Sequence, residues 1–348
     1  MFVIGVDSHK SSLALCVVDE LGRAIAARTV ANSPKGHAAA YAWVCEQADG
    51  ERVFGIEATG GFAYVFSVGL DTQGERVFDV PPNQTDRERG RQTTRSKSDE
   101  KDALAIARIT LRERERLAPL AHNPLARDLR ILCTYRRQLR QQRTRTANRL
   151  HADLVQLEPG YETRVPALDN PKQLTACSRL LAKHIGVQTE LARLRLADLR
   201  RVDRELAVLD KRIRLLVPTT GTTLTEIFGV GPLVAAQIIG EVRCVERFAS
   251  QDRFARHNGT APIPASSGRS TRYRLNRGNN RRLNHAIHVI ALTQAGYDPR
   301  ARAFLARSKA EGKSSREAMR ALKRRLSDVV YRQLLADAAR RPPELDKT

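Results

Sequence analysis

The chain opens on short apolar runs broken by polar turns: residues 2–7 (FVIGVD), 12–18 (SLALCVV) and, after the Asp19-Glu20-Leu21-Gly22 turn, 24–30. Runs of that length bounded by turn residues predict three strands joined by hairpins. A helix is expected over 34–47, with Ser33 as N-cap and Pro34 at the first helical position. Residues 52–57 (RVFGIE) then read as a strand, 61–72 as a helix, 76–80 as a last strand and 98–116 as a closing helix. The predicted order is βββαβαβ followed by a helix.

From about residue 124 to 217 strand signals disappear. Leu199, Val202, Leu206, Leu209, Ile213 and Leu216 recur at spacings of three and four, which keeps one apolar seam along a helix. A dimeric coiled coil and a hairpin folded within the chain both satisfy that seam. Near Pro218 the pattern changes again: residues 225–242 (TEIFGVGPLVAAQIIGEV) put Gly229-Val230-Gly231 between two apolar turns, the pattern of a helix-hairpin-helix. Glycines there permit a tight turn that brings backbone N–H groups at a helix start toward a phosphate. Residues 314–339 read as a basic amphipathic helix and 342–348 as a frayed tail. The expected divisions are 1–120, 121–217, 218–341 and 342–348.

Charge narrows the function. With 60 Lys+Arg against 38 Asp+Glu the 348-residue chain carries a formal +22, which makes nucleic acid the default partner. Residues 127–153 hold eight Arg against Asp128 and Asp153, and residues 253–297 hold eight Arg with no acidic residue. The five cysteines form no CxxC pair, which argues against a zinc knuckle or a disulfide frame. No apolar run reaches the roughly 18 residues of a membrane span, and the start, MFVIGVDSHK, lacks a signal peptide's order of basic then apolar residues. A cytoplasmic, nucleoid-associated bacterial protein is expected.

Two constellations carry candidate chemistry. Asp7 ends the first strand, Glu57 ends the fourth, and Asp99 and Asp102 lie three apart at the start of the closing helix, so the two late carboxylates share a face. Four converging carboxylates repel one another unless divalent cations sit between them, and hard oxygen donors suit Mg²⁺ or Mn²⁺. The second is a serine in a basic loop, Pro262-Ile263-Pro264-Ala265-Ser266-Ser267-Gly268-Arg269-Ser270, where Arg269, Arg272 and Arg274 could neutralise a phosphate under attack. Ser-Ser-Gly is equally what a plain loop looks like. His285 and His288 have no third ligand in view, and residues 55–61 (GIEATGG) are no phosphate loop because no Lys-Ser/Thr follows.

These residues together resemble the DEDD transposases of the insertion sequence 110 family, which also includes the pilin-gene invertases. The resemblance rests on Gly5-Val6-Asp7, Ile56-Glu57-Ala58-Thr59-Gly60, Lys97-Ser98-Asp99-Glu100-Lys101-Asp102-Ala103, Gly229-Val230-Gly231, Ser267-Gly268 and Arg277-Gly278-Asn279, in that order and spacing. It implies an α/β plus α architecture: a RuvC-like domain of ribonuclease H fold, a helical coiled-coil linker that builds oligomers, and a mainly helical transposase domain with the helix-hairpin-helix. It also implies that Asp7, Glu57, Asp99 and Asp102 hold Mg²⁺ and that Ser267 attacks DNA to give a 5′-phosphoserine. A bridge RNA would guide the reaction, and homodimers would assemble to tetramers. Arg269, Arg272, Arg274, Arg277, Arg281, Arg282, Arg137 and Arg140, with Gly229 and Gly231, are the expected nucleic-acid contacts. Ser266 precedes the serine, and the register from Pro262 to Gly268 favours Ser267 over it. Ala261-Pro262-Ile263-Pro264 replaces a more basic lead-in. The rival readings are a junction-resolving endonuclease that uses metal-activated water and a non-catalytic nucleic-acid-binding protein.

Overall fold

The computed structural model describes all residues except 58–60, 82–84, 86–97, 116, 121–122, 265–272, 275–278 and 341–348. The chain divides into two compact units, Met1–His122 and Asn123–Thr348.

In the first unit, β1 (Phe2–Ser8), β2 (Ser12–Val18), β3 (Ala24–Ala31), β4 (Arg52–Glu57), β5 (Arg76–Val80) and a two-residue β6 (Ala118–Pro119) form one sheet in the order β3-β2-β1-β4-β5-β6. The first three strands pair antiparallel, while β1–β4 and β4–β5 are parallel. This is the ribonuclease H arrangement that the run of elements predicts, with β6 added antiparallel to β5 at the edge. The central strands are buried on both faces, which is why β1 and β2 read as unbroken apolar runs and not as alternating ones. Helices α1 (Pro34–Gln47) and α2 (Tyr64–Thr72) cover the face presenting Ile4, Val6, Phe54 and Ile56. The opposite face, with Val3, Ala14, Cys16 and Val53, receives α3 (Asp99–Glu113). Ser33 and Ser98 cap α1 and α3 through their hydroxyls, so both predicted helix starts hold.

The second unit is helical. Two long helices, α4 (Pro124–Leu157) and α6 (Val187–Thr219), run antiparallel, with Arg136 bound to Asp210, Arg143 to Asp203 and Arg195 to Asp153 across them. The apolar seam is buried within the chain: Leu199 joins a cluster with Leu150, Leu154 and residues of α5 (Pro171–Leu181), Val202 and Leu206 pack on Leu139, and Ile213 enters the main core. That main core gathers α4, α7 (Pro232–Val242), α8 (Gln251–Asn258), α9 (Arg281–Tyr297), α10 (Pro299–Ala310) and α11 (Ser315–Ala339). At Gly229-Val230-Gly231 the N-terminal arm is a single 3-10 turn, Leu224–Glu226, and the C-terminal arm is α7.

Candidate active site

Glycine places the acids. Gly5 and Gly55 are register partners on β1 and β4, and both belong to the sheet face that α3 covers. A Cβ on Gly5 would lie 2.0 Å from the Ala103 carbonyl oxygen and 2.4 Å from the Ala107 nitrogen, and one on Gly55 would lie 1.8 Å from Thr110 Oγ1. The pair therefore forms a trough without side chains, and α3 sinks into it until helix backbone touches strand backbone. Two residues further along each strand, on the same face, stand Asp7 and Glu57. The first turn of α3 brings Asp99 and Asp102 to that end of the sheet. Asp7 and Asp102 are both buried.

A fifth group completes the arrangement. His9 Nε2 lies 3.1 Å from Asp7 Oδ2 and 3.3 Å from Asp99 Oδ1, and ligand atoms of Asp7, His9 and Asp99 all fall within 4.8 Å of one another. Asn32 fixes the His9 backbone by donating from Nδ2 to its carbonyl at 2.9 Å. The Asp7 carboxyl is pushed above its ordinary range, first by burial and then by the negative charges of Asp102 and Asp99, while His9 pulls the other way. A carboxylate disfavoured in its charged form by two neighbouring acids is a place where a divalent cation would relieve the repulsion. Hard oxygens from two elements with one imidazole suit Mg²⁺ or Mn²⁺. Reasoning from sequence missed His9, although Asp7-Ser8-His9 puts it two residues on, where a strand returns to the same face.

Of the predicted acids, Asp7 and Asp99 meet through His9, Asp102 lies within electrostatic reach of Asp7, and Glu57 ends the neighbouring strand one step past the Val6–Ile56 pair. Ser267, the alternative Ser266, and Arg269, Arg272 and Arg277 lie outside the described residues; Arg274 stands in β8 (Tyr273–Arg274), which pairs with β7 (Ile263–Pro264). What is described is the frame of that loop. The Asn280 backbone N–H donates to the His257 carbonyl at 2.9 Å, Asn284 Nδ2 to the Asn258 carbonyl at 2.7 Å, and Asn258 Nδ2 to buried Ser327 Oγ at 2.8 Å. Gly259 turns at φ +74°, where an added Cβ would overlap the Asn279 amide.

The basic residues separate into two kinds. Arg136 and Arg143 are held by Asp210 and Asp203, and Arg282 reaches Glu241 at 3.1 Å and Thr134 Oγ1 at 3.2 Å. Arg137, Arg140 and Arg281 are exposed, and their side chains make no ion pair or hydrogen bond among the described residues. Gly229, at φ +87°, faces the chain's own α9, since a Cβ there would meet Thr293 Cβ at 3.3 Å; Gly231 is exposed at the start of α7 with nothing within 4 Å of a Cβ. Among the described residues no helix is long and apolar enough to cross a membrane.

Residues 4–159 match a family model described as a transposase, DEDD type of IS110, and residues 221–306 match one described as transposase, IS116/IS110/IS902 family. The chain is 28% identical to the 42 kDa protein of insertion element IS900 from Mycobacterium paratuberculosis, over 97% of this chain and 96% of that one. It is 25% identical to the 44.8 kDa protein of IS116 from Streptomyces clavuligerus, over 95% and 94%. Among solved structures it is similar to Thermus thermophilus RuvC in complex with a Holliday junction substrate, at 22% identity and a TM-score of 0.27, over 34% of this chain and 99% of that one.

Proposed function

Because the chain belongs to the IS116/IS110/IS902 family of transposases, we propose that it inserts and excises its parent element by strand exchange through a covalent 5′-phosphoserine at Ser267. The observation that carries the acidic half of this reading is the glycine trough that draws Asp99 and Asp102 against Asp7. Asp7, Glu57, Asp99 and Asp102, with His9 beside them, would hold Mg²⁺. The bound ion would polarise a phosphodiester and screen its charge from the acids.

The remaining steps belong to the chain's own groups. The Ser267 hydroxyl attacks phosphorus, an Oγ–P bond forms, the P–O3′ bond breaks, and the proton passes to the departing 3′ oxygen. Arg269, Arg272, Arg274 and Arg277 clamp the phosphate and stabilise its pentavalent state. The frame built by Asn258, Asn280 and Asn284 fixes where the loop leaves and re-enters the helical unit. DNA is the substrate of the family's activity. A bridge RNA as guide, and a dimer or tetramer in which the serine of one subunit serves the acids of another, extend the same reading. The unpaired arginines of the second unit support a nucleic-acid partner there.

Replacing Ser267 by Ala tests the chemistry. The expected result is complete loss of the protein–DNA adduct on denaturing gels, with DNA binding and Mg²⁺ binding unchanged. Cleavage that persists without an adduct would assign the reaction to metal-activated water, and an adduct that persists in the Ser267→Ala protein but is lost in Ser266→Ala would move the nucleophile by one residue.

A further inference from the structure

Between α4, α7 and the start of α9 the second unit encloses a cavity of about 330 Å³. Its walls are of two kinds. Leu233 and Cys133 form an apolar floor, and the Cys133 thiol, pushed up to about 11 by burial, is a neutral part of it. The rim carries Arg137 and Arg140, three residues apart on neighbouring turns of α4, and Arg281 at the first position of α9. All three are exposed cations without a partner among the described residues. The other charges of the lining are already compensated: Arg136 by Asp210, and Glu241 by Arg282 Nη1 at 3.1 Å and Asn280 Nδ2 at 2.8 Å. Gln237 donates from Nε2 to the Arg282 carbonyl at 2.6 Å and turns no charge to the cavity.

Three like charges around one concavity repel one another, and the helix N-terminus beside them adds positive potential. Asn280 already accepts from the N–H groups of Arg282 and Leu283, so the arginine side chains, more than the helix end, supply the anion contacts. A ligand that fits this lining is anionic at the rim and apolar at the floor, with a volume near the lower end of small-molecule pockets, roughly 300 Å³. A nucleotide has that division: a base with little charge and a phosphate on either side. A base inside a duplex can enter such a recess only after eversion, whereas an unpaired base enters freely.

We propose that this cavity receives one unpaired nucleotide of a single-stranded nucleic-acid segment, its base on Leu233 and Cys133 and its flanking phosphates on Arg137, Arg140 and Arg281. The inference rests on the nucleic-acid reading above but on neither the serine nor the metal, so a failure here leaves the strand-exchange reading standing.

The test uses the full chain and binding alone, with a fluorescein-labelled mixed-sequence single strand of about a dozen nucleotides, as DNA and as RNA, and the matching DNA duplex. The triple variant Arg137→Gln/Arg140→Gln/Arg281→Gln is compared with Arg145→Gln/Arg149→Gln/Arg204→Gln, which removes the same charge from exposed positions of α4 and α6 outside the cavity. The rim variant should lose roughly tenfold or more in single-strand affinity and flatten the slope of log K against log salt by about 2, at about 0.7 per phosphate contact. The control should lose much less. Leu233→Phe, which fills the floor, should weaken single-strand binding several-fold and leave duplex binding unchanged. Equal losses in the rim and control variants, or equal losses for single strand and duplex, overturn the proposal. Should Leu233→Phe melt early, the arginine comparison decides alone, because those positions are exposed. A loss confined to RNA or to DNA identifies which strand the cavity takes.

Discussion

Asp7 is buried and His257 half-buried, one in each unit, and burial, helped by like-charged neighbours, pushes both toward their neutral forms. Burial raises the Asp7 carboxyl, with Asp102 and Asp99 adding to the effect against His9. Burial lowers His257 to about 4, with Arg247 and Arg243 adding to the effect against Glu241. The signs are opposite because burial, the largest cause in each case, raises an acid and lowers a base; the charged neighbours add to this, and there the units differ. Residues 1–122 carry 16 Lys+Arg and 17 Asp+Glu, so the whole of the net +22 resides in residues 123–348. The sheet unit, close to neutrality, brings Asp7, Asp99 and Asp102 together at one end of its sheet, while the helical unit holds an excess of arginine that attracts polyanions. The +22 of the whole chain therefore describes the second unit and conceals the character of the first.

The change that would break this comparison most completely is Gly5→Val. A Cβ alone would sit 2.0 Å from backbone, so α3 must move away from β1 and carry Asp99 and Asp102 with it. Overpacking of this kind costs at least about 3 kcal/mol, and strand-transfer activity and Mg²⁺-dependent stabilisation should both vanish. Gly231→Ala, with nothing within 4 Å of the added carbon, should leave the melting temperature within a degree or so of the parent's. A Gly5→Val protein that still gained stability from Mg²⁺ would show that the trough does not position the acids.

Asp7→Asn removes the charge and keeps the shape. Since the ionised carboxylate is disfavoured by burial and by Asp102 and Asp99, the metal-free protein should melt higher than the parent in chelator. The parent should overtake it when Mg²⁺ is added, because the variant lacks the charge that holds the ion. Thermal melts with and without Mg²⁺ read both effects, and an unchanged Mg²⁺ increment in Asp7→Asn would remove Asp7 from the cation site.

How much of this is legible in sequence differs between the units for a physical reason. The placement of Asp7, Glu57, Asp99 and Asp102 can be read because each stands at the end of an element whose period is visible. The depth of α3 could not be read, although Gly5-x-Asp7 and Gly55-x-Glu57 repeat one pattern on two strands. A glycine declares permission for a close approach and leaves open what approaches. The arginines of residues 127–153 look alike in sequence, yet Arg143 is bound by Asp203, sixty positions away in a helix whose register fixes the pair, and Arg140 is not. The seam from Leu199 to Leu216 has the same ambiguity, since the period gives the face and not the partner.

A pH dependence sharpens the contrast from the other side. His257 has an ordinary value near 6.5 in the unfolded chain and about 4 when folded. Above about pH 6.5 both states are neutral and its contribution is fully present. Between about 6.5 and 4 the unfolded chain takes up a proton that the folded chain does not, and stability falls by about 3 kcal/mol across that window. His257→Phe, which keeps a ring against Phe248 at the 5.1 Å centroid distance of the parent, should flatten this part of the denaturant midpoint against pH. An unaltered profile would mean that burial and the neighbouring arginines do not hold His257 in its neutral form.

The smallest effect tests whether neighbouring arginines divide into structure and contact. Arg143 donates from Nε to Asp203 Oδ1 at 2.5 Å and from Nη2 to the Leu168 carbonyl at 2.7 Å, with about a fifth of its side chain exposed. Arg143→Gln leaves Asp203 short of a partner and should cost about 1–3 kcal/mol, read from the denaturant midpoint, with nucleic-acid affinity unchanged. Arg140→Gln, one turn away, should leave the midpoint within about 0.5 kcal/mol and weaken single-strand binding a few-fold. If the two variants exchanged roles, or if each lost both properties, α4 would be a uniformly charged surface, and the line between arginines that hold the helices together and arginines that await a ligand would disappear.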